Sequence, residues 1–183
     1  PQTPVQALKG CRWALAEENR LGFQELEQGM GQLPKAGIGR LLDDGLVSAV
    51  AVAPSDSDRV AAGSTTGHVY VTAEGLAREG AHWDIARPRA GWVTSVAHDA
   101  FDPNVMYVTY GGFGGPHVLK STNGGRTWRA IDGAGATAVP DVPVHVAVVD
   151  PSRPARLYLG TDIGVFVSET AGASFEARDA RRH

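Results

Sequence analysis

The chain has very little cysteine: Cys11 stands alone among 183 residues. An intrachain disulfide is therefore impossible, and metal sites built from several cysteines are excluded. No run approaches the roughly 18 apolar residues that a membrane-spanning helix needs, so we expect no membrane insertion. Positive charge is also not in excess, since 17 Lys and Arg stand against 20 Asp and Glu. A nucleic-acid partner needs a basic face, so we expect none.

Glycine and proline, in contrast, are plentiful, with 23 and 11 residues. This content favours many short strands joined by turns over long helices. The chain begins at Pro1 without Met and without a signal-peptide pattern. From this start we expect either a leader that was removed or a piece of a longer protein.

One sequence pattern occurs three times between residues 47 and 180. The segment Val50–Pro54 recurs as Ala147–Pro151, and Met106–Val108 corresponds to Leu157–Leu159. Each copy predicts three short strands separated by turns, and then a fourth strand opened by an aromatic residue. The predicted strands are Val47–Ala53, Arg59–Ala62 and His68–Thr72; Val93–His98, Val105–Tyr110 and His117–Lys120; and Val144–Val149, Arg156–Gly160 and Val165–Ser168. The aromatic residues are Trp83, Trp128 and Phe175.

Four short strands in a repeating unit of this length are typical of β-propeller blades. We therefore predict an all-β fold with three blades of four antiparallel strands, at about residues 47–90, 91–140 and 141–180, plus part of a fourth. Propellers use four to eight blades, so we expect an open or fragmentary propeller. Its exposed sheet edges would need further blades of the same protein or a second copy as partner.

Residues 1–46 allow two interpretations. In the first, Trp13–Ala16 and Phe23–Leu26 are outer strands of a preceding partial blade. In the second, apolar residues between Leu15 and Met30 line one face of an amphipathic helix. In both, Gln32–Asp44 is a connector into the first full copy.

The glycine-rich turn at residues 121–128 has the most defined pattern in the chain. The Asn123 side chain can bond nearby backbone N–H groups, and the glycines after it accept positive φ at no steric cost. We predict a tight turn closed by a buried indole, with defining residues Ser121, Asn123, Gly125, Thr127 and Trp128. The third copy repeats it in weaker form, as Ser168, Gly172, Ser174 and Phe175, with Thr170 in the place of Asn123. The first copy keeps little beyond Trp83.

The pattern Ser121-x-Asn123-x-Gly125-x-Thr127-Trp128 resembles the Asp-box, also called the bacterial neuraminidase repeat, with Asn123 in place of the usual Asp. This resemblance implies a β-propeller in which the box lies between the third and fourth strands of a blade, away from the axis. Sialidases, xyloglucan-cleaving glycosidases, sortilin-type receptors and photosystem assembly factors carry the box. It therefore indicates architecture, and activity has to be argued from other residues.

Asp162 is the candidate catalytic residue, because Thr161-Asp162-Ile163-Gly164 resembles a segment that carries a catalytic Asp in xyloglucan-cleaving enzymes. Glycoside hydrolysis needs two facing carboxylates, and no second one stands in a matching context. The arginine motif of sialidases is absent as well. The alternative interpretation is that Asp162 caps its own turn. Catalysis is left open, with the balance against an enzyme.

Tyr110 and Phe113 are the candidate ligand-binding residues. Tyr110 directly precedes the glycine run Gly111–Gly115, which lengthens one loop, and Phe113 interrupts that run. Exposed aromatic rings in this loop could stack on a sugar or a peptide. The alternative is that Phe113 folds back onto its blade. The histidines lack metal-ligand spacing, and no cofactor-binding motif is present, so we expect neither metal nor cofactor.

Together these patterns predict a non-catalytic binding or scaffold module of an Asp-box β-propeller. We expect it to belong to a longer secreted protein, extracellular, periplasmic or at the cell surface, that recognises a glycan or a protein. The alternative function is a glycoside hydrolase, xyloglucanase- or sialidase-like, whose site is completed by further blades.

Overall fold

The computed structural model describes residues 45–77 and 81–178. The two interpretations of the N-terminal segment, a partial blade or a helix, lie outside these residues. Twelve strands are described, and one short 3-10 turn spans Gly135–Thr137. The first sheet holds β1 (Val47–Ala53), β2 (Asp56–Ser64), β3 (Val69–Thr72) and β4 (Asp84–Ala86). The second holds β5 (Val93–His98), β6 (Met106–Tyr110), β7 (Val118–Ser121) and β8 (Arg129–Ala130). The third holds β9 (Val144–Asp150), β10 (Arg153–Thr161), β11 (Gly164–Ser168) and β12 (Glu176–Arg178).

Each sheet is antiparallel, and its strands lie side by side in chain order. The predicted all-β architecture of four-stranded units is therefore confirmed. Each fourth strand begins directly after its aromatic residue, Trp83, Trp128 or Phe175. Two predicted turns are too long: residues 54–58 and 150–154 were expected to be turns, but Asp56 already pairs with Ala53 and Arg153 with Asp150, which leaves a two-residue hairpin turn in each case.

The first strands of the three sheets lie next to one another, since β1 contacts β5 and β5 contacts β9. A hydroxyl group spans each of these junctions. Ser48 Oγ donates to the carbonyl of Val93 at 2.6 Å, and Thr94 Oγ1 donates to the carbonyl of Val144 at 2.5 Å. At the first junction Gly63 is required, because a Cβ there would collide with the Val93 side chain. The sheets thus approach most closely along their innermost strands.

Two apolar cores fill the spaces between the sheets, and β6 contributes to both. Alternate residues of a strand point to opposite faces, so Val108 packs toward the first sheet and Tyr107 toward the third. Within the described part of the chain, the third sheet is covered on one face, where Leu157 and Leu159 are buried. Its other face exposes Val146, Val148, Tyr158 and Val165.

Candidate functional site

One end of the sheets carries the candidate ligand-binding and catalytic residues of the sequence. We call it the loop end; it comprises the turns between the second and third strands (65–68, 111–117 and 162–163) and the residues that enter β1 and β5. Gly111 N–H donates to the carbonyl of Trp92 at 3.1 Å, which ties the 111–117 loop to the start of β5. Large apolar side chains are exposed at this end: Leu46, Trp92, Phe113 and Ile163. Exposed apolar surface of this kind marks interaction sites.

Phe113 is exposed, with 67% of its surface accessible, so the alternative interpretation that it folds back onto the blade is wrong. Its backbone, however, is held. The Arg89 guanidinium donates to the carbonyls of Phe113 at 2.9 Å and of Pro116 at 3.0 Å. From the other side, Gly114 N–H donates to Asp141 Oδ1 at 2.8 Å. The loop therefore presents an aromatic ring on a fixed backbone, which lowers the ordering cost of binding.

Tyr110 does not share this surface. It is fully buried, and its hydroxyl donates to the carbonyl of Gly67 at 3.2 Å. The Arg89 guanidinium lies 5.5 Å from its ring centroid, and burial raises the pKa of Tyr110 to about 12. The expectation that Tyr110 is exposed to a ligand is wrong, because this position of β6 faces the first sheet. Tyr110 instead supports Arg89, which supports the loop.

Two carboxylates complete the base of this loop. Asp132 accepts the backbone N–H groups of His117 at 3.1 Å and Val118 at 2.6 Å, and burial raises the pKa of Asp132 above its ordinary value. Asp141 accepts from the ring of buried His117 at 3.0 Å, and the Gly114 N–H holds the pKa of Asp141 below its ordinary value. Sequence reasoning missed Arg89, Asp132 and Asp141. The sequence signal that could have predicted such partners is the glycine run itself. Its backbone carbonyl and N–H groups lie outside a strand and need hydrogen-bond partners from elsewhere in the chain.

Asp162 lies half-exposed at the loop end, and its carboxylate contacts His145 Nε2 at 2.5 Å. The turn around it is capped by a different residue: Thr161 Oγ1 donates to the carbonyl of Gly164 at 2.8 Å and accepts the N–H of Ile163. The interpretation of Asp162 as its own turn cap is therefore wrong. Among the described residues no group of three His, Cys, Asp or Glu side chains could hold a metal ion.

His145 occupies a repeated position. It follows Val144 as Ser48 follows Val47 and as Thr94 follows Val93, at the start of the innermost strand. Ser48 and Thr94 use this position to bond the next sheet, whereas His145 bonds Asp162. The third sheet thus replaces a structural hydroxyl with an accessible His–Asp pair.

The glycine-rich turn lies at the opposite end of β7 from the loop end. Ser121 Oγ accepts the N–H of Gly125 at 2.9 Å, and Asn123 Oδ1 accepts the N–H of Thr127 at 2.9 Å. Trp128 Nε1 donates to the carbonyl of Gly125 at 2.8 Å. The indole is half-buried and not buried as predicted, and it packs against the core between the first and second sheets.

The third sheet builds the same turn from other residues. Ser168 Oγ accepts the N–H of Gly172 at 2.9 Å, and Thr170 Oγ1 accepts the N–H of Ser174 at 3.0 Å. Phe175 is buried. A threonine hydroxyl therefore replaces the asparagine oxygen without changing the pattern of bonds.

The first sheet keeps more of this turn than its sequence suggests. Thr72 Oγ1 accepts the N–H of Glu74 at 3.0 Å, which repeats the Ser121–Asn123 and Ser168–Thr170 contacts. The turn is also anchored to the first hairpin of its sheet in all three copies, by the N–H groups of Gly75, Gly124 and Ala171, which donate to the carbonyls of Asp58, Asn104 and Ala155. The first copy was expected to keep little beyond Trp83, and it keeps these two contacts of the turn as well.

No protein-family model matches the chain, and a search of curated proteins gave no match. Solved structures do match. An ancestral GH74 enzyme aligns with a TM-score of 0.60 and 22% identity over 78% of this chain and 19% of its own. The GH74 xyloglucanase from Xanthomonas campestris aligns with a TM-score of 0.56 and 20% identity, over 75% of this chain and 24% of its own.

YCF48 from Cyanidioschyzon merolae aligns with a TM-score of 0.55 and 19% identity, over 75% of this chain and 38% of its own, and YCF48 has also been solved bound to a D1 peptide. The chain thus spans between 19% and 42% of these neighbours. Within residues 45–77 and 81–178, no helix is long and apolar enough to cross a membrane. At such identities the likeness shows the fold, and the three four-stranded sheets are β-propeller architecture.

Proposed function

We propose that this chain is a non-catalytic binding segment of a larger Asp-box β-propeller protein, secreted or at the cell surface. The observation that carries the proposal is the pair of exposed aromatic rings, Phe113 on a backbone held by Arg89 and Asp141, and Trp92, whose carbonyl accepts the N–H of Gly111. A rigid loop that presents aromatic rings loses little conformational entropy on binding. The Asp-box assignment is supported by the Ser121 and Asn123 hydrogen bonds, which recur in the third sheet.

Two ligand classes fit this surface, a glycan and a peptide. A GH74 neighbour is a xyloglucanase by name, and YCF48 binds a peptide. The aliphatic residues Leu46 and Ile163, exposed at the same end, favour a peptide, because they offer apolar contact area but no flat face for a sugar ring.

Binding by the full chain tests the proposal with two probes, a xyloglucan oligosaccharide and peptides selected from a random phage library. We expect Trp92→Ala and Phe113→Ala each to weaken binding by roughly 30-fold, which corresponds to the loss of about 2 kcal/mol that marks an aromatic hot spot. The matched control is Phe101→Ala, since Phe101 is equally exposed but lies in the turn between β5 and β6, at the opposite end. Binding that is lost equally in the control variant would contradict the proposal.

The glycoside hydrolase alternative rests on the half-exposed Asp162 at the loop end. A second carboxylate would have to come from further blades of the longer protein. The test is polysaccharide cleavage by the full-length protein. Cleavage that Asp162→Asn abolishes supports the alternative, and cleavage that it leaves unchanged removes Asp162 as a catalytic group.

A further inference from the structure

Two polar side chains with buried nitrogen atoms lie at the junction of the first and second sheets, at the end opposite to the loop end. Arg59 lies in β2 on the same face as Ala61, which packs toward the second sheet. Its Nε atom is buried and forms no hydrogen bond within the described part of the chain. The same holds for both ring nitrogens of His98, the last residue of β5, which is only 6% exposed. Buried polar atoms in proteins are normally hydrogen-bonded, so these atoms need a partner from outside the described residues.

The two side chains approach each other across the junction. His98 is the register partner of Met106 and shares with it the face that packs toward the first sheet. Burial lowers the pKa of His98, the Pro103 carbonyl counteracts part of this effect, and the Arg59 charge lowers the pKa further. The guanidinium also reaches the glycine-rich turn of the second sheet, because a Cβ on Gly124 would lie 3.4 Å from Arg59 Nη1. Arg59 therefore spans the junction beside the imidazole.

The third sheet shows which partners an arginine has at this position. Arg156 is equivalent to Arg59, and it forms ion pairs with Glu169 at 2.8 Å and with Asp150 at 3.4 Å. In the first sheet alanine replaces both carboxylates, at Ala53 and Ala73. No described carboxylate lies within ion-pair distance of Arg59. The first sheet thus keeps the arginine and has lost both of its counter-charges.

His98 is a second departure from the repeat, on the facing sheet. Valine occupies the equivalent position in the first and third sheets, as Val52 and Val149, so the fold does not require a histidine here. A buried polar group in place of an apolar one costs stability unless it is hydrogen-bonded. The two departures meet at one place, and both present N–H donors, one of them charged. Such a pair selects an anion.

The carboxylates that adjoin these residues in sequence are already engaged. Asp58 Oδ1 accepts the N–H of Leu76 at 3.0 Å. Asp99 Oδ1 accepts the N–H of Phe101 at 2.9 Å. Neither carboxylate pairs with Arg59, so the counter-charge is not supplied from the adjoining turns.

The donors approach from two different sheets, which restricts the shape of the anion. A planar carboxylate pairs with one guanidinium as a fork and presents both of its oxygens on the same side. It then has no oxygen directed at an imidazole on the facing sheet. A tetrahedral oxyanion has oxygens on both sides and can accept from both donors.

We propose that Arg59 and His98 bind a small tetrahedral oxyanion, phosphate or sulfate, between the first and second sheets. The guanidinium donates to it from the first sheet and the imidazole from the second. The anion takes the place of the two carboxylates that Arg156 has in the third sheet. It joins the two sheets at the end opposite to the Ser48 hydrogen bond, and the site stands independently of the function proposed for the loop end.

The test measures binding of inorganic phosphate to the full chain by calorimetry, with acetate as the planar probe. We expect Arg59→Gln and His98→Val each to weaken phosphate binding by roughly 10-fold, because hydrogen bonds to a charged group are lost. The matched control is Arg156→Gln, which removes the same charge from the equivalent position where two carboxylates already balance it. We expect this variant to bind phosphate as the unmodified chain does.

Phosphoserine, measured alongside, identifies the source of the oxyanion, and both of its outcomes agree with the proposal. Weaker binding than that of inorganic phosphate indicates a free anion, and equal binding indicates a phosphate group carried by a larger molecule. Three results would overturn the proposal: no binding of phosphate, binding of acetate as tight as that of phosphate, or an equal loss in Arg156→Gln.

Thermal melts show that the Arg59 variant is folded and report on the same site. In phosphate-free buffer we expect Arg59→Gln to melt no lower than the unmodified chain, because an unpaired and partly buried charge is removed. Added phosphate should raise the melting temperature of the unmodified chain and of Arg156→Gln, since a ligand that binds the folded state stabilises it. A rise of the same size in Arg59→Gln would contradict the proposed site.

Discussion

The second and third sheets contain the same turn with the same hydrogen bonds, yet they close it with different rings. In the second sheet Trp128 is half-buried and packs against the core between the first and second sheets, whereas in the third sheet Phe175 is buried in the core with Phe166 and Leu157. The hydrogen bonds therefore define the turn, whereas the aromatic ring that closes it varies between the copies.

The largest expected effect separates the two rings. Phe175→Ala should lower the free energy of unfolding by about 3–5 kcal/mol, because it leaves a cavity in the core. Trp128→Ala should cost less, roughly 1.5–3 kcal/mol, since part of the indole is already in water. Urea denaturation of both variants measures the contrast. Equal losses would mean that both rings serve the core alike.

A pH effect should distinguish the second sheet from the third. Burial, followed by the nearby Arg59 charge, lowers the pKa of His98, whose counterpart in the third sheet is Val149. The unfolded chain therefore takes up a proton more readily than the folded one, and stability is lost as pH falls below 6.5. The slope from this one group is at most about 1.4 kcal/mol per pH unit.

Replacing His98 with Val, the residue at the equivalent position of the third sheet, should remove this loss of stability at low pH. Thermal melts between neutral pH and mildly acidic pH, with the unmodified chain alongside, provide the measurement. An acid sensitivity that persists unchanged in His98→Val would assign it to other groups.

Backbone conformation provides a reciprocal pair of variants. Gly124 and Ala171 are equivalent, with φ of 70° and 53°. Left-handed backbone costs a residue with a Cβ about 1–2 kcal/mol. We expect Gly124→Ala to destabilise the protein by about 1 kcal/mol and Ala171→Gly to stabilise it by up to about 1 kcal/mol. Changes of the same sign, measured by chemical denaturation, would contradict this account.

The smallest effect concerns the residue that differs most in sequence. Asn123→Thr introduces the hydroxyl that Thr170 uses in the third sheet, so we expect a change within about 0.5 kcal/mol. Asn123→Ala removes the acceptor of the Thr127 N–H and should cost about 1 kcal/mol. Thr170→Ala is the control in the other turn. If Asn123→Thr costs as much as Asn123→Ala, the two turns are not interchangeable.

Local patterns allowed the strands and their pairing to be predicted from sequence. Alternating apolar residues and glycine turns determine β1, β5 and β9 within a residue or so, because these signals act between neighbours in the chain. The bonds that shape the candidate site are of another kind. Arg89 reaches Phe113 across 24 residues, and Thr94 reaches Val144 across 50. No local pattern encodes such contacts.

Tyr110 also shows that a local sequence pattern does not predict a contact between sheets. It stands beside the glycine run in sequence, but strand alternation turns it toward the first sheet, where Gly67 accepts its hydroxyl. Phe113, three residues later, has left the strand and is exposed. Position along the chain identified the loop, and only the packing of the sheets decided which aromatic residue it presents.

The hydrogen bonds that the Ser48 and Thr94 hydroxyls donate also affect the order in which the protein unfolds. Each one couples a sheet to the next, so among the three described sheets the middle one is held from both sides by these bonds and each outer one from one side. In an array with nearest-neighbour coupling, unfolding begins at an end and moves inward. Amide hydrogens of β6 should therefore exchange last, which makes the middle sheet the cooperative centre of the array.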